Sequence, residues 1–199
     1  MPSQQIYLIR HGETEWSLNG RHTGASDIPL TEKGRQVARR WQPFAAERTF
    51  ALVLTSPLGR ARETCVLAGL GERAEIDPDL REWDYGAYEG LTPQQIRAQQ
   101  PGWMIFRDGC PSGESPQQVG TRVDRVIARM RGATGDVAAF AHGHVLRVLG
   151  ARWLGLPPSA GSHFLLDTAT VCVLSAYHGV PAIRRWNAPL VSRGAPRPS

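Results

Sequence analysis

Arg10-His11-Gly12 brings a permanent cation, a nucleophilic imidazole and a flexible backbone together at one point of the chain. A guanidinium offers a planar fork of donors that matches phosphate oxygens. A neutral imidazole can attack phosphorus and hold the phosphoryl group briefly. A glycine beside it lets the backbone come close to an anion. The same residue types recur later as Arg60 and as His142-Gly143-His144. Phosphoryl transfer suits such a set, because it depends on positioning and on compensating charge at the phosphoryl oxygens.

Each group follows an apolar run. Residues 4–9 read as a short buried strand that ends at Arg10-His11. Residues 50–55 (FALVLT) have the unbroken apolarity of an internal parallel strand. Ser56-Pro57 follows as an N-cap with proline at the first helical position, which puts Arg60 in the first turn of a helix. The macrodipole and free N–H groups there make an anion site. Residues 136–141 (DVAAFA) form another buried strand and run into His142, after which Val145, Leu146, Leu149, Trp153 and Leu154 face inward along a helix. If these strands are neighbours, two arginines and two histidines converge where α/β proteins bind ligands.

The remaining segments supply the frame. Thr31 caps a helix whose Val37, Trp41, Phe44 and Ala45 recur at helical spacing until Pro43 kinks or stops it. Residues 14–28 and 101–116 read as irregular loops, 74–77 as a third strand, 80–90 as irregular chain and 92–99 as a short helix. Ser115, Pro116 and Gln118 make a capping box before a helix with Val119, Val123, Val126, Ile127 and Met130 on one face. Residues 171–177 and 181–186, joined through His178-Gly179, read as a β-hairpin. A single α/β domain over 1–191 with a largely parallel sheet is expected, followed by a disordered tail from residue 192.

Composition narrows the classes. The chain has 199 residues, 41% of them hydrophobic, and no apolar stretch near the roughly 20 residues that span a bilayer. The N-terminus enters a strand too soon for a signal peptide, so the cytoplasm is the expected compartment. Cys65, Cys110 and Cys172 lack zinc-type spacing and read as reduced thiols. The net charge of +5 comes from scattered arginines, with Lys33 the only lysine. That pattern argues against a nucleic-acid or membrane patch and is compatible with a small phosphorylated partner.

LIRHGETEW, GRHTG, PLTEKG, TSPLGRARET, LREWDYGAYEG and AHGH, in this order, resemble the histidine phosphatase superfamily in its phosphoglycerate mutase-like branch. The resemblance spans residues 6 to about 150. It implies a three-layer α/β/α sandwich with a mostly parallel central sheet. It makes His11 the nucleophile that becomes phosphohistidine, with Arg10, Arg60 and a protonated His142 holding the equatorial oxygens and Glu82 as acid and base. Ser17, Thr23, Gly24, Tyr85, Gly143 and His144 would border the substrate. Relatives carry asparagine where this chain has Ser17, and vary at His144. No metal and no cofactor are implied.

GRHTG, REWDYGAYEG and FRDGCPSGES are most similar to the branch with sedoheptulose bisphosphatase and related small-sugar phosphatases, which implies a sugar phosphate or bisphosphate substrate. The front half of the pattern is shared with adenosylcobalamin-pathway phosphatases. Cofactor-dependent mutases carry a basic insertion after the LREWDYG-like segment, whereas residues 92–112 hold only Arg97 and Arg107 as basic residues. Hydrolysis is therefore expected over mutase chemistry. A catalytically inactive phospho-ligand binding module and a metal-dependent phosphoesterase are the alternatives from other classes. The C-terminal hairpin offers a surface for a homodimer.

Overall fold

The computed structural model describes residues 4–189, and the tail expected from residue 192 lies outside them. Its strands are β1 (Ile6–Arg10), β2 (Leu52–Thr55), β3 (Ala74–Ile76), β4 (Val137–Ala141), β5 (Val171–Tyr177) and β6 (Val180–Ala188). They form one sheet in the order β3-β2-β4-β1-β5-β6. β4 lies between β1 and β2 and runs parallel to both. β3 joins β2 in parallel, and β5 and β6 complete the sheet as antiparallel strands. All five residues of β4 are buried, as a strand covered by helices on both faces requires.

The helices are α1 (Glu15–Leu18), α2 (Glu32–Arg39), α3 (Gln42–Ala46), α4 (Gly59–Leu67), α5 (Pro93–Gln99), α6 (Ile105–Asp108), α7 (Pro116–Arg131) and α8 (Gly143–Trp153). Side-chain alternation along β1 divides the core between them. Ile6 and Leu8 join Leu54 and Ala139 against Val123 and Met130 of α7 and Leu146 and Leu149 of α8. Tyr7 and Ile9 join Phe140 and Val53 against Trp41, Ala45 of α3 and Cys65 of α4. The result is the expected three-layer α/β/α sandwich.

Local signals explain most boundaries. The side chains of Thr31 and Ser115 accept the expected cap bonds, and Thr92, read only as the start of a short helix, caps α5 in a capping box of its own. Pro43 interrupts its helix as read: α2 ends at Arg39, and Pro43 lies in the first turn of α3. His178 (φ 49°) and Gly179 (φ 81°) both adopt positive φ, the type I′ geometry of a two-residue hairpin turn.

Two readings are corrected. The segments taken as loops contain the one-turn helices α1 and α6, too short to show a helical period. α4 starts at Gly59 rather than at Ser56-Pro57, and its N-cap, Leu58, makes no side-chain bond. The carboxylate of Asp27 caps it from a distant loop, accepting from Gly59 N at 2.8 Å and Arg60 N at 3.4 Å. The anion site expected at this helix end is thus filled by the protein itself.

The three cysteines are free and buried, and burial pushes each thiol up to about 12. Among the described residues no helix is long and apolar enough to cross a membrane.

Candidate active site

β1, β4 and β2 end side by side, so the sheet itself gathers His11, His142 and the approach to Arg60. His11 N donates to Ala141 O at 3.0 Å, carrying the loop after β1 across to β4. The rings of His11 and His142 lie 5.1 Å apart. His11 Nδ1 lies 2.7 Å from Gly12 O. A carbonyl can only accept, so Nδ1 carries the proton and Nε2 keeps the lone pair. Burial, followed by the charges of Arg10 and Arg60, holds His11 well below the ordinary imidazole value. The imidazole is therefore neutral and oriented.

Gly12 has a different role from the one expected. A Cβ there would stand 2.8 Å from Gly34 O, so glycine is required by the close approach of α2. Its N–H donates to Thr64 Oγ1 at 3.0 Å, and Thr64 Oγ1 donates to Arg60 O at 2.7 Å. Thr64 thus ties the His11 loop to α4 and occupies the amide that was expected to meet an anion.

The two arginines are held by backbone carbonyls. Arg10 NH1 donates to Leu166 O, and its guanidinium lies across the start of α8, where a Cβ on residue 143 would be 3.2 Å from Cζ. Gly143 therefore serves by having no side chain. Arg60, 1% exposed, donates through NH1 to Ser26 O at 2.8 Å and through NH2 to Thr23 O at 2.8 Å and Gly24 O at 3.0 Å. Arg10 Nε, Arg60 Nε and His142 Nδ1 are buried without a protein partner. Buried polar nitrogens are normally satisfied, and these three belong to the residues grouped with His11.

His142 Nε2 lies 2.7 Å from Ser56 Oγ, a partner the sequence did not suggest. Burial, then Arg60, His11 and Arg10, push His142 well below the ordinary value. In the free site burial first, and the two guanidiniums after it, therefore favour the neutral form of His142.

Glu82, 6% exposed, docks on the N-terminus of α8. Oε1 accepts from Trp83 N and Val145 N at 2.9 Å each, and Oε2 accepts from His144 N at 3.0 Å. Its main chain is clamped by Arg122, whose NH2 donates to Glu82 O at 3.1 Å and whose Nε and NH2 pair with Glu114 at 2.8 and 2.9 Å.

A cavity of about 230 Å³ opens over His11, lined also by Arg10, Ser17, Thr23, Glu82, Tyr85, Gly143 and His144. Arg60 and His142 are buried outside this lining, and Gly24 is outside it too. Gly24 N instead donates to the Glu89 carboxylate at 2.9 and 3.0 Å, leaving no amide for a substrate. Ser17 Oγ donates to Thr14 O at 2.8 Å and accepts from Thr14 N at 2.9 Å, so the hydroxyl expected to meet a phosphate is spent on capping α1. Tyr85 OH lies 2.7 Å from His144 Nδ1. Burial holds the phenol well above its ordinary value and the imidazole well below, so the two share a hydrogen bond as neutral groups. Among the described residues, no group of three His, Cys, Asp or Glu side chains is placed to hold a metal ion.

The model of the histidine phosphatase superfamily (branch 1) matches residues 6–189. The chain belongs to this superfamily. It is 40% identical over 200 residues to an acid phosphatase of Mycobacterium tuberculosis, covering 98% of this chain and 96% of the relative. It is 39% identical over 190 residues to sedoheptulose 1,7-bisphosphatase of Saccharomyces cerevisiae, covering 78% and 70%. A solved structure of a Mycobacterium tuberculosis open reading frame superposes with a TM-score of 0.88 at 38% identity, covering 94% of this chain and 98% of that one.

Within this histidine phosphatase, sequence reasoning missed His22, Arg21 and Arg147, which also line the cavity. Arg21 and His22 both lie in the GRHTG motif, the sequence signal that marks them. Its ring stacks on Tyr85 at 4.5 Å, and burial, with Arg97, lowers it to about 4. Arg147 lies one turn after His144 on α8, on a face that looks merely amphipathic in sequence.

Proposed function

We propose that this phosphoric monoester hydrolase cleaves a phosphomonoester of a small metabolite, a phosphorylated sugar or similar molecule, through a phosphohistidine on His11. The observation that carries the reading is the His11 Nδ1 contact to Gly12 O at 2.7 Å, which leaves Nε2 unprotonated. Nε2 attacks phosphorus in line as the ester P–O bond breaks. Arg10, Arg60 and His142 meet the phosphoryl oxygens through the three nitrogens that have no protein partner. The arriving dianion favours a proton on His142.

Glu82 gives its proton to the leaving alkoxide, then takes one from the water that attacks phosphorus as the P–N bond breaks. Thr23, Tyr85 and His144 border the leaving group, and Ser17 shapes the wall. The names of the bisphosphatase and acid phosphatase relatives support hydrolysis of small phosphorylated compounds. A mutase reading has little support, since Arg97 and Arg107 alone supply positive charge in residues 92–112.

The partner is a small phosphorylated metabolite rather than nucleic acid or membrane. Three free, buried thiols support a cytoplasmic setting. Exposed Tyr177 and Val180, beside the turn into edge strand β6, support a homodimer through the hairpin. The test is hydrolysis of p-nitrophenyl phosphate with excess chelator. Full turnover in chelator, abolished by His11→Ala, is expected. Retained activity in His11→Ala would overturn the nucleophile, and loss of wild-type turnover in chelator would point to a metal enzyme.

A further inference from the structure

Beside the His11 cavity lies a second hollow of about 200 Å³, and His22, Pro93, His144 and Arg147 are walls of both. Arg97, Trp103 and Phe106 complete much of the outer hollow, and no acidic residue lines it. Arg147 stands at the junction. Its Nε donates to Gly161 O at 3.1 Å, its NH2 to Ser162 O at 3.3 Å, and its guanidinium lies 4.4 Å over the Phe106 ring. Carbonyls and an aromatic face orient this charge without neutralising it. Arg97 Nε likewise donates only to a carbonyl, Trp103 O, at 3.3 Å.

Arg35, Arg107, Arg122, Arg125, Arg129 and Arg152 each meet a carboxylate. Among the described residues neither Arg97 nor Arg147 has one within 4.0 Å. His22, 7% exposed, has a buried Nε2 with no protein partner at the boundary of the two hollows. A purely apolar substrate tail would fit Trp103 and Phe106 but would leave the half-buried Arg147 uncompensated and further desolvated.

We propose that the substrate has two anionic ends: the phosphomonoester at His11, and a second phosphate or carboxylate seated on Arg147 with Arg97 beside it. His22 Nε2 meets an oxygen of the linking chain. This rests on the phosphatase reading and narrows its substrate class to small polyols or sugars bearing two anionic groups.

The experiment compares matched pairs in the full chain: fructose 1,6-bisphosphate against fructose 6-phosphate, and 3-phosphoglycerate against glycerol 3-phosphate. The first pair isolates a second phosphate and the second a carboxylate. In at least one pair the wild type prefers the doubly anionic member by about tenfold or more in kcat/KM, the value of a charge-assisted contact. Arg147→Gln brings that ratio to within about twofold of unity, and Arg97→Gln lowers it part of the way. Equal use of both members of both pairs, or a preference untouched by either variant, overturns the proposal. Should Arg147→Gln fail to fold, Arg97→Gln decides by the same ratio. Wild-type inertness toward p-nitrophenyl phosphate would count against the hydrolase reading alone. Calorimetric Kd values for the same pairs would then decide the second anion site separately.

Discussion

Arg122 and Arg10 are both arginines withdrawn into the protein within reach of Glu82, yet they live in opposite environments. Arg122 spends its fork on Glu114 and on the carbonyls of Asp79, Arg81 and Glu82. Arg10 has one carbonyl partner, Leu166 O, and a buried Nε with none. Burial lowers Arg10, and Glu82, Tyr85 and Asp167 oppose the shift without forming an ion pair with it. A saturated guanidinium holds chain in place. An unsaturated one stores unfavourable desolvation that an incoming anion relieves. Arg60 is intermediate, with three carbonyl bonds, an unpartnered Nε and a loose 3.7 Å contact to the half-exposed Asp27.

The contrast is open to direct attack. Arg122→Met leaves Glu114 buried without its cation and should cost about 3–5 kcal/mol of stability by urea denaturation. A loss below about 1 kcal/mol would mean that the clamp is ornamental. Adding Glu114→Leu should return much of that loss, because the stranded charge goes with it.

Arg10→Gln should lower kcat/KM by about 10²–10³ while melting no lower than the wild type, since it removes an uncompensated buried charge. A large drop in Tm would place Arg10 with Arg122 as a structural residue.

The histidines give a smaller, graded effect. His22 titrates near 6.5 when unfolded and at about 4 when folded. Below pH 6.5 the unfolded chain takes up a proton that the folded chain refuses. Stability is therefore full above pH 6.5 and falls as the pH drops toward 4. The urea midpoint should decline over that window and His22→Gln should flatten the slope; an unchanged slope would contradict the burial of His22. Asp27→Asn, at a half-exposed site, should cost less than about 1 kcal/mol.

What the sequence disclosed followed from how local each cause is. Apolar runs ending in Arg10-His11 and His142 reported their strands, and neighbouring β1, β4 and β2 brought those residues together. Thr31 and Ser115 announced their helices because each cap lies three residues from its partner amide. The start of α4 was misread because its cap comes from Asp27, more than thirty residues away. Ser56, bonded to His142 across 86 positions, and Arg122, bonded to Glu82 across 40, were invisible for the same reason. Ser17 and Gly24 were plausible substrate contacts by type, but the capping box with Thr14 claims the Ser17 hydroxyl and the distant Glu89 claims the Gly24 amide.

The central claim is that His11 carries the phosphoryl group. Rapid quenching of the wild-type enzyme during turnover, followed by mass analysis of its peptides, reads this directly. An acid-labile phosphate on the peptide containing His11, formed within the first turnover and chased by unlabelled substrate, is the predicted result. Turnover without any phosphoenzyme, or label on a peptide lacking His11, would contradict it.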